Sequence, residues 1–330
     1  MNGVRRSTVA SIALLVLAIG VVVSSSASAG GAALPRGGKV IAKVPIPEGS
    51  GGFTVGEGAV WSLSDAISTL MRINPQGNSV TARIKVEPRN PCPQYVCGEP
   101  AVGADAMWVP RAPDNAVSRI DMSSDTVAAT IPVGPYPVAA AVTPGAVWVV
   151  NALGPSVSRI DPATNRVVAT IRLAPRSTAS DRGSLVAGAG AIWATVPNLK
   201  TVVRIDPATN AVAARIRVSD FPCGQMAADS RAVWVSGAHC SPFVLRIDPR
   251  TNRQTGTVKG TVAPVGLALG FGSLWVADLD RKTIDRVDPR TGRIVARLAV
   301  GGYPVRLAVG FGSVWVRDDT GRVLRIKPQR

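Results

Sequence analysis

Histidine is almost missing from this chain of 330 residues: His239 is the only one. A His-rich metal centre is thereby excluded, and a Ser-His-Asp triad would have to run through that residue. Cysteine is scarce, at four, and no two of them form a C-x-x-C pair. Charged residues make 18% of the chain, below the usual share of about 25%. No Gly-rich phosphate loop, G-x-S-x-G elbow, H-E-x-x-H pair or EF-type Asp/Asn/Gly ladder occurs. In place of these stand 33 Gly, 26 Pro and an apolar share of 46%. That share is enough to bury a core, which excludes wholesale disorder, and the many turn formers point to short strands.

Long apolar runs are confined to the N-terminus. Arg5 and Arg6 precede the run Val9 to Val23, and Ala27-Ser28-Ala29 offers a small-x-small cleavage site. A largely apolar run of 15 residues falls short of the roughly 20 that span a bilayer, so residues 1–29 read as a secretory signal rather than a retained anchor. Residues 30–37 read as a flexible lead and 38–330 as one domain. Export implies a secreted, extracellular or cell-envelope location, with no membrane span after cleavage. In an oxidising compartment Cys92, Cys97, Cys223 and Cys240 are expected in disulfides; three pairings are possible.

The net charge is +16, or +14 once Arg5 and Arg6 are removed with the signal. Such a balance attracts nucleic acid, teichoic-type polymers or anionic membranes. Here the basic residues neither gather into a run nor alternate with aromatics, so no nucleic acid is expected.

All seven tryptophans fall into one series: Trp61, Trp108, Trp148, Trp193, Trp234, Trp275 and Trp315, spaced by 47, 40, 45, 41, 41 and 40. A second series runs in step, from Arg72-Ile-Asn-Pro75 through Arg159-Ile-Asp-Pro162 to Arg325-Ile-Lys-Pro328. Within one unit, Val138 to Val142 and Ala146 to Val150 are apolar strands, and Ser156 to Asp161 is a third. The turn Pro162-Ala-Thr-Asn165 leads into an alternating, half-exposed fourth strand, Arg166 to Leu173. Four antiparallel strands in about 40 residues make the blade of a β-propeller. The chain is therefore expected to be all-β, a seven-bladed β-propeller of four-stranded antiparallel blades. The last repeat lacks a fourth strand, and Gly38 to Ile46 matches the missing one, so the N-terminal strand should close the ring. The tryptophans are expected in the core, and each Arg of Arg-Ile-Asp is expected to pair locally rather than serve a ligand, its own Asp being one candidate partner.

The unit Val147-Trp-Val-Val-Asn151 with Val157-Ser-Arg-Ile-Asp-Pro-Ala-Thr-Asn-Arg-Val-Val-Ala-Thr-Ile171 resembles the YVTN-type repeat of secreted prokaryotic propellers. Trp148 and Val150 stand where that family often has Tyr and Thr. More distantly the chain is similar to NHL-type propellers and to the virginiamycin B lyase family. The lyase resemblance implies a His-based site with an acidic partner and a divalent metal, on the loop-rich face.

Connections between blades share one face with the loops joining second and third strands. They vary between repeats, so individual function is expected there. Candidate ligand contacts are Tyr95 in the loop 87–99, Arg176 in the loop 174–184, and Gln225 beside Cys223. Tyr136 and Tyr303, each in a Tyr-Pro connection, should approach the channel. Asp278, Asp280, Arg317 and Asp318 occupy further loops of this face. A Cys223–Cys240 bridge would hold His239, the one candidate general base. Asp278-Leu-Asp280 and Asp318-Asp319 offer oxygens to a divalent cation, though no cofactor is expected. The expected function is a monomeric, non-enzymatic scaffold that binds a small molecule, a cell-envelope polymer or a protein. The alternative is a lyase using His239 and a divalent metal.

Overall fold

Strand Ala146–Asn151 is buried at every position, as its unbroken apolar run requires. It lies between two strands of its own sheet and between two blades, so neither of its faces meets water. Strand Arg166–Arg172 alternates exposed and covered residues and forms the outer edge. The same contrast recurs around the molecule. The computed structural model describes residues 34–35, 37–48, 51–86, 98–180 and 182–329. These form seven sheets of four strands, and consecutive strands within each repeat are neighbours. Blades 1 to 6 comprise residues 53–85, 101–132, 137–172, 185–217, 226–258 and 264–299. Blade 7 takes three strands from residues 304–328 and its outer strand from Gly38–Pro45. That strand runs antiparallel to Arg322–Pro328, with Lys39 opposite Lys327 and Val44 opposite Val323. The expected ring closure is thus present, and the seam is held by backbone pairing. Among the described residues the only helical pieces are four 3-10 turns. No helix there is long and apolar enough to cross a membrane.

The repeat series explains its own periodicity. All seven tryptophans are at most 1% exposed. Five donate Nε1–H to the carbonyl of a glycine on the inner strand, as Trp315 does to Gly310 at 3.1 Å. In every blade the repeat arginine lies over its tryptophan ring, 5.1 Å from the centroid for Arg325 and 5.8 Å for Arg286. Three of these arginines then reach forward to a turn asparagine instead of pairing with the acid of their own repeat, whereas Arg246 donates within its blade to Thr255 Oγ1 at 2.8 Å. Arg159 donates to Asn210 Oδ1 at 2.8 Å, and Arg204 to Asn252 Oδ1 at 3.1 Å, each in the next blade. Arg325 donates to Asn78 Oδ1 at 3.2 Å, which carries the same latch across the seam into blade 1.

The Asp of the same repeat is not the partner because it has local work. Asp161 accepts the Ala163 N–H at 2.9 Å and the Thr164 hydroxyl at 2.9 Å, which closes the turn. The turn asparagines adopt positive φ, with Asn165 at 56° and Asn210 at 57°; Gly292 takes the same role at 71°. The signal segment 1–29, the lead residues 30–33 and 36, and the loop residues Cys92, Tyr95 and Cys97 lie outside the described residues.

Candidate functional site

Strand register defines a ring of side chains around the axis. Opposite each tryptophan on the inner strand stands a small or β-branched residue, such as Ala308 opposite Trp315. Two positions earlier the seven blades carry Gly52, Glu99, Ala139, Ser184, Gln225, Gly266 and Arg306. Four of these are Gly, Ala or Ser, and three are long and polar. The three long side chains belong to blades 2, 5 and 7, yet they meet. Arg306 Nε lies 2.6 Å from Glu99 Oε1. Gln225 Nε2–H donates to Glu99 Oε2 at 3.1 Å, and Gln225 Oε1 accepts the Leu267 N–H at 2.9 Å. Glu99 is fixed from behind. Its N–H donates to Val138 O and its carbonyl accepts from Ala140 N–H, both at 2.9 Å, in a parallel bridge to blade 3. The small residues make the space. A Cβ on Gly266 would lie 3.1 Å from Arg306 Cα.

This triad lines a cavity of about 90 Å³ on the loop-rich face. Every blade, or the connection leading into it, contributes to the wall: Gly51, Glu99, Val138, Ser184, Gln225, Val265 and Arg306. A cavity with such a lining lies on the propeller axis. A wider space of about 530 Å³, lined by Arg182, His239, Leu279, Asp280, Tyr303 and Asp319, adjoins it. Arg182, His239, Leu279 and Asp319 belong to both walls.

His239 sits on the 3-10 turn Ala238–Cys240 and is exposed. The Cys223–Cys240 disulfide ties that turn to the connection entering blade 5, with the two Cα atoms 6.3 Å apart. Tyr303 is 44% exposed, with Lys282 Nζ 4.5 Å from its ring centroid. Asp319 donates its N–H to Tyr303 O at 3.0 Å. Burial pushes the Asp319 carboxyl above the ordinary range, against the pull of Arg317 and Arg306. Its Oδ1 atom is buried without a hydrogen-bond partner. Arg317 is wholly buried and donates to Ser62 Oγ. Burial lowers its pKa to about 10, opposed by Asp65 and Asp319.

The structure gathers Gln225, His239, Asp280 and Tyr303 of the expected contacts around these two spaces. It places others in the framework. Asp278 is fully buried and accepts the N–H groups of Val262 and Ala263, at 2.8 and 3.1 Å. Asp318 is its counterpart in blade 7. It accepts the Tyr303 N–H at 3.2 Å and the Thr320 N–H at 2.9 Å, and it binds Arg322. Burial alone would raise the Asp318 carboxyl, but the Thr320 and Arg322 hydrogen bonds hold it below its ordinary value. Both aspartates therefore brace a connection between blades. Tyr136 is half-buried at φ 59°, with its N–H on Asn115 Oδ1, and Arg176 is exposed on a 3-10 turn; neither lines the two spaces.

Glu99, Arg182 and Arg306 are not among the expected ligand contacts, and Asp319 is expected only as a donor to a divalent cation. A signal for Glu99 and Arg306 exists in the sequence. Aligning the inner strands on their tryptophans leaves only Glu99, Gln225 and Arg306 large at the ring position. Among the described residues no group of three His, Cys, Asp or Glu side chains is placed to hold a metal ion. Among these described residues the divalent metal implied by the lyase resemblance finds no such donor set, and no chemistry is derived through one.

No protein-family model matches the chain, and no curated protein matches its sequence. Solved structures do match its fold. Virginiamycin B lyase from Staphylococcus aureus superposes with a TM-score of 0.71 at 15% identity, over 87% of this chain and 99% of that one. Hydrazine synthase of Kuenenia stuttgartiensis superposes with a TM-score of 0.68 at 14% identity, over 86% of this chain and 96% of that one. At such identities the likeness is one of fold.

Proposed function

We propose that this propeller is an exported binding protein that takes a small polar ligand on its axis, at the loop-rich face. One observation carries the reading: a cavity walled by all seven blades and lined by the Glu99–Arg306–Gln225 triad. A rigid ring that converges polar groups on an apolar-flanked space is a ligand site by default. Asp319 Oδ1 is a buried acceptor without a donor, and Asp280 lies in the same wall. A ligand hydroxyl or ammonium group satisfies that demand, while Leu279 and Tyr303 cover its carbon skeleton. Export is supported by the signal-like N-terminus and by the Cys223–Cys240 disulfide. The test is native mass spectrometry of the mature chain incubated with culture-fluid extract. An adduct held by the parent protein and lost in Asp319→Asn is expected. An adduct unchanged in that variant would place binding elsewhere, and no adduct at all would remove the proposal.

A second reading has one observation in its favour. His239 and Asp319 line the same two spaces, and Asp319 is biased towards its protonated form. A base beside an acid is what proton abstraction with leaving-group protonation requires. Elimination on a bound ligand, as the name of the Staphylococcus aureus fold neighbour suggests, would use the pair in that way. If so, ligand incubated with the protein is converted, and His239→Ala retains the adduct without converting it.

A further inference from the structure

The outer edge of the propeller carries charge of one sign. In each blade the fourth strand is the edge of its sheet. Together the seven edge strands hold ten Lys and Arg and not one Asp or Glu. The pattern is also one of height. Each edge strand buries one aliphatic residue near its end, from Val44 and Ile84 to Ile171 and Ile216. A cation flanks that residue in six of the seven blades: Lys43, Lys85, Arg172, Arg217, Lys259 and Arg297. Only blade 2 lacks one, with Thr130 and Pro132 in those places. Arg297 is committed to Asp285 at 2.7 Å. The other five are exposed and form no ion pair with any described carboxylate.

Charge on an edge strand also blocks strand-to-strand aggregation. That requirement favours Lys in particular, but it applies strand by strand and does not call for a cation beside the buried aliphatic residue in six of seven blades. A belt of like charges, each one residue to either side of the same buried position, repels itself, and a bound polyanion relieves the repulsion.

We propose that this rim binds a flexible linear polyanion, such as a phosphate-bearing polymer of the cell envelope, laid along the circumference. The shape of the belt selects among anionic partners. A plane touches a convex rim at only one or two blades, so a membrane surface meets few of the cations at once. A flexible chain follows the curve and meets an unpaired cation in each of five blades. Single-stranded nucleic acid would call for aromatic platforms between the cations, and the edge strands contain no Phe, Tyr or Trp, while a DNA duplex is too stiff to follow so tight a curve. The proposal is independent of the axial ligand site, which the rim does not touch.

The test measures binding of long-chain inorganic polyphosphate to the mature protein by fluorescence titration at several salt concentrations. A rim variant, Lys43→Gln/Lys85→Gln/Arg172→Gln/Arg217→Gln, is compared with a variant of equal charge change on the turn face. The latter is Arg231→Gln/Arg250→Gln/Arg290→Gln/Arg293→Gln. The expected result is at least tenfold weaker binding and a shallower salt dependence for the rim variant, with the turn-face variant near the parent. A charge-preserving exchange, Lys43→Arg/Lys85→Arg/Arg172→Lys/Arg217→Lys, should retain binding, which separates loss of charge from loss of fold. Equal losses in the rim and turn-face variants would reduce the effect to net charge and overturn the proposal. So would tighter binding to phosphatidylglycerol vesicles or to duplex DNA than to polyphosphate, or no polyphosphate binding near physiological salt.

Discussion

Arg306 Nε stands 2.6 Å from Glu99 Oε1, and the contact joins blade 7 to blade 2 at the ring's inner edge. Both side chains are about one-fifth exposed, at 19% and 20%. Glu99→Gln leaves the guanidinium without its counter-charge in a partly dry space. The expected loss is about 2 kcal/mol, read from urea unfolding midpoints. The double variant Glu99→Gln/Arg306→Gln should cost less than the sum of the single variants, because the pair acts as a unit. Strict additivity would show that the contact contributes nothing.

The seam should be the most sensitive place for the arginine latch. Arg325 stacks on Trp315 and donates to Asn78 Oδ1 and Pro75 O in blade 1. Arg325→Lys removes the forked donor and is expected to lower stability by about 1 kcal/mol. Hydrogen exchange should quicken in Gly38–Pro45 more than in any other edge strand. Arg159→Lys, the same change between blades 3 and 4, should leave that strand protected.

Acid should weaken the turns between third and fourth strands. Asp121 is lowered to about 2, first by the Ser123 hydroxyl and then by turn N–H groups. Asp161, Asp206, Asp248 and Asp288 are lowered chiefly by the N–H two residues on. A depressed carboxyl contributes stability above its unfolded value of 3.8 and loses it as pH falls through the folded one. Thermal midpoints should therefore hold steady above pH 5 and drop between pH 4 and pH 2. Asp121→Asn should flatten part of that drop.

Removing the disulfide should loosen one corner of the site. Cys223 and Cys240 are 17 residues apart, and closing such a loop stabilises by about 3 kcal/mol in the chain-entropy account. Cys223→Ser/Cys240→Ser is expected to lose up to that amount in thermal unfolding. Exchange should rise at residues 237–241 while blades 1 to 3 keep their protection. A loss spread over the whole ring would count against a local role.

Seven blades, the strand order within each and the closing N-terminal strand were all legible in the chain. A strand, a tight turn and a buried tryptophan are each specified within about 40 residues, and seven copies repeat the message. Asn165 and Gly292 announce their turns because few other residues accept positive φ. The partners of the repeat arginines were not legible, since Arg159 and Asn210 meet only once two blades stack. Asp278 and Asp318 looked like loop carboxylates free for ligands, and only the structure shows them bracing the connections that lead into their own blades. The axial triad is the clearest case. Gln225 and Glu99 are 126 residues apart. Local periodicity places each on an inner strand, but the distance between them is set by how many blades the ring contains and where it closes. That is a property of the whole circle, to which no single repeat holds the key.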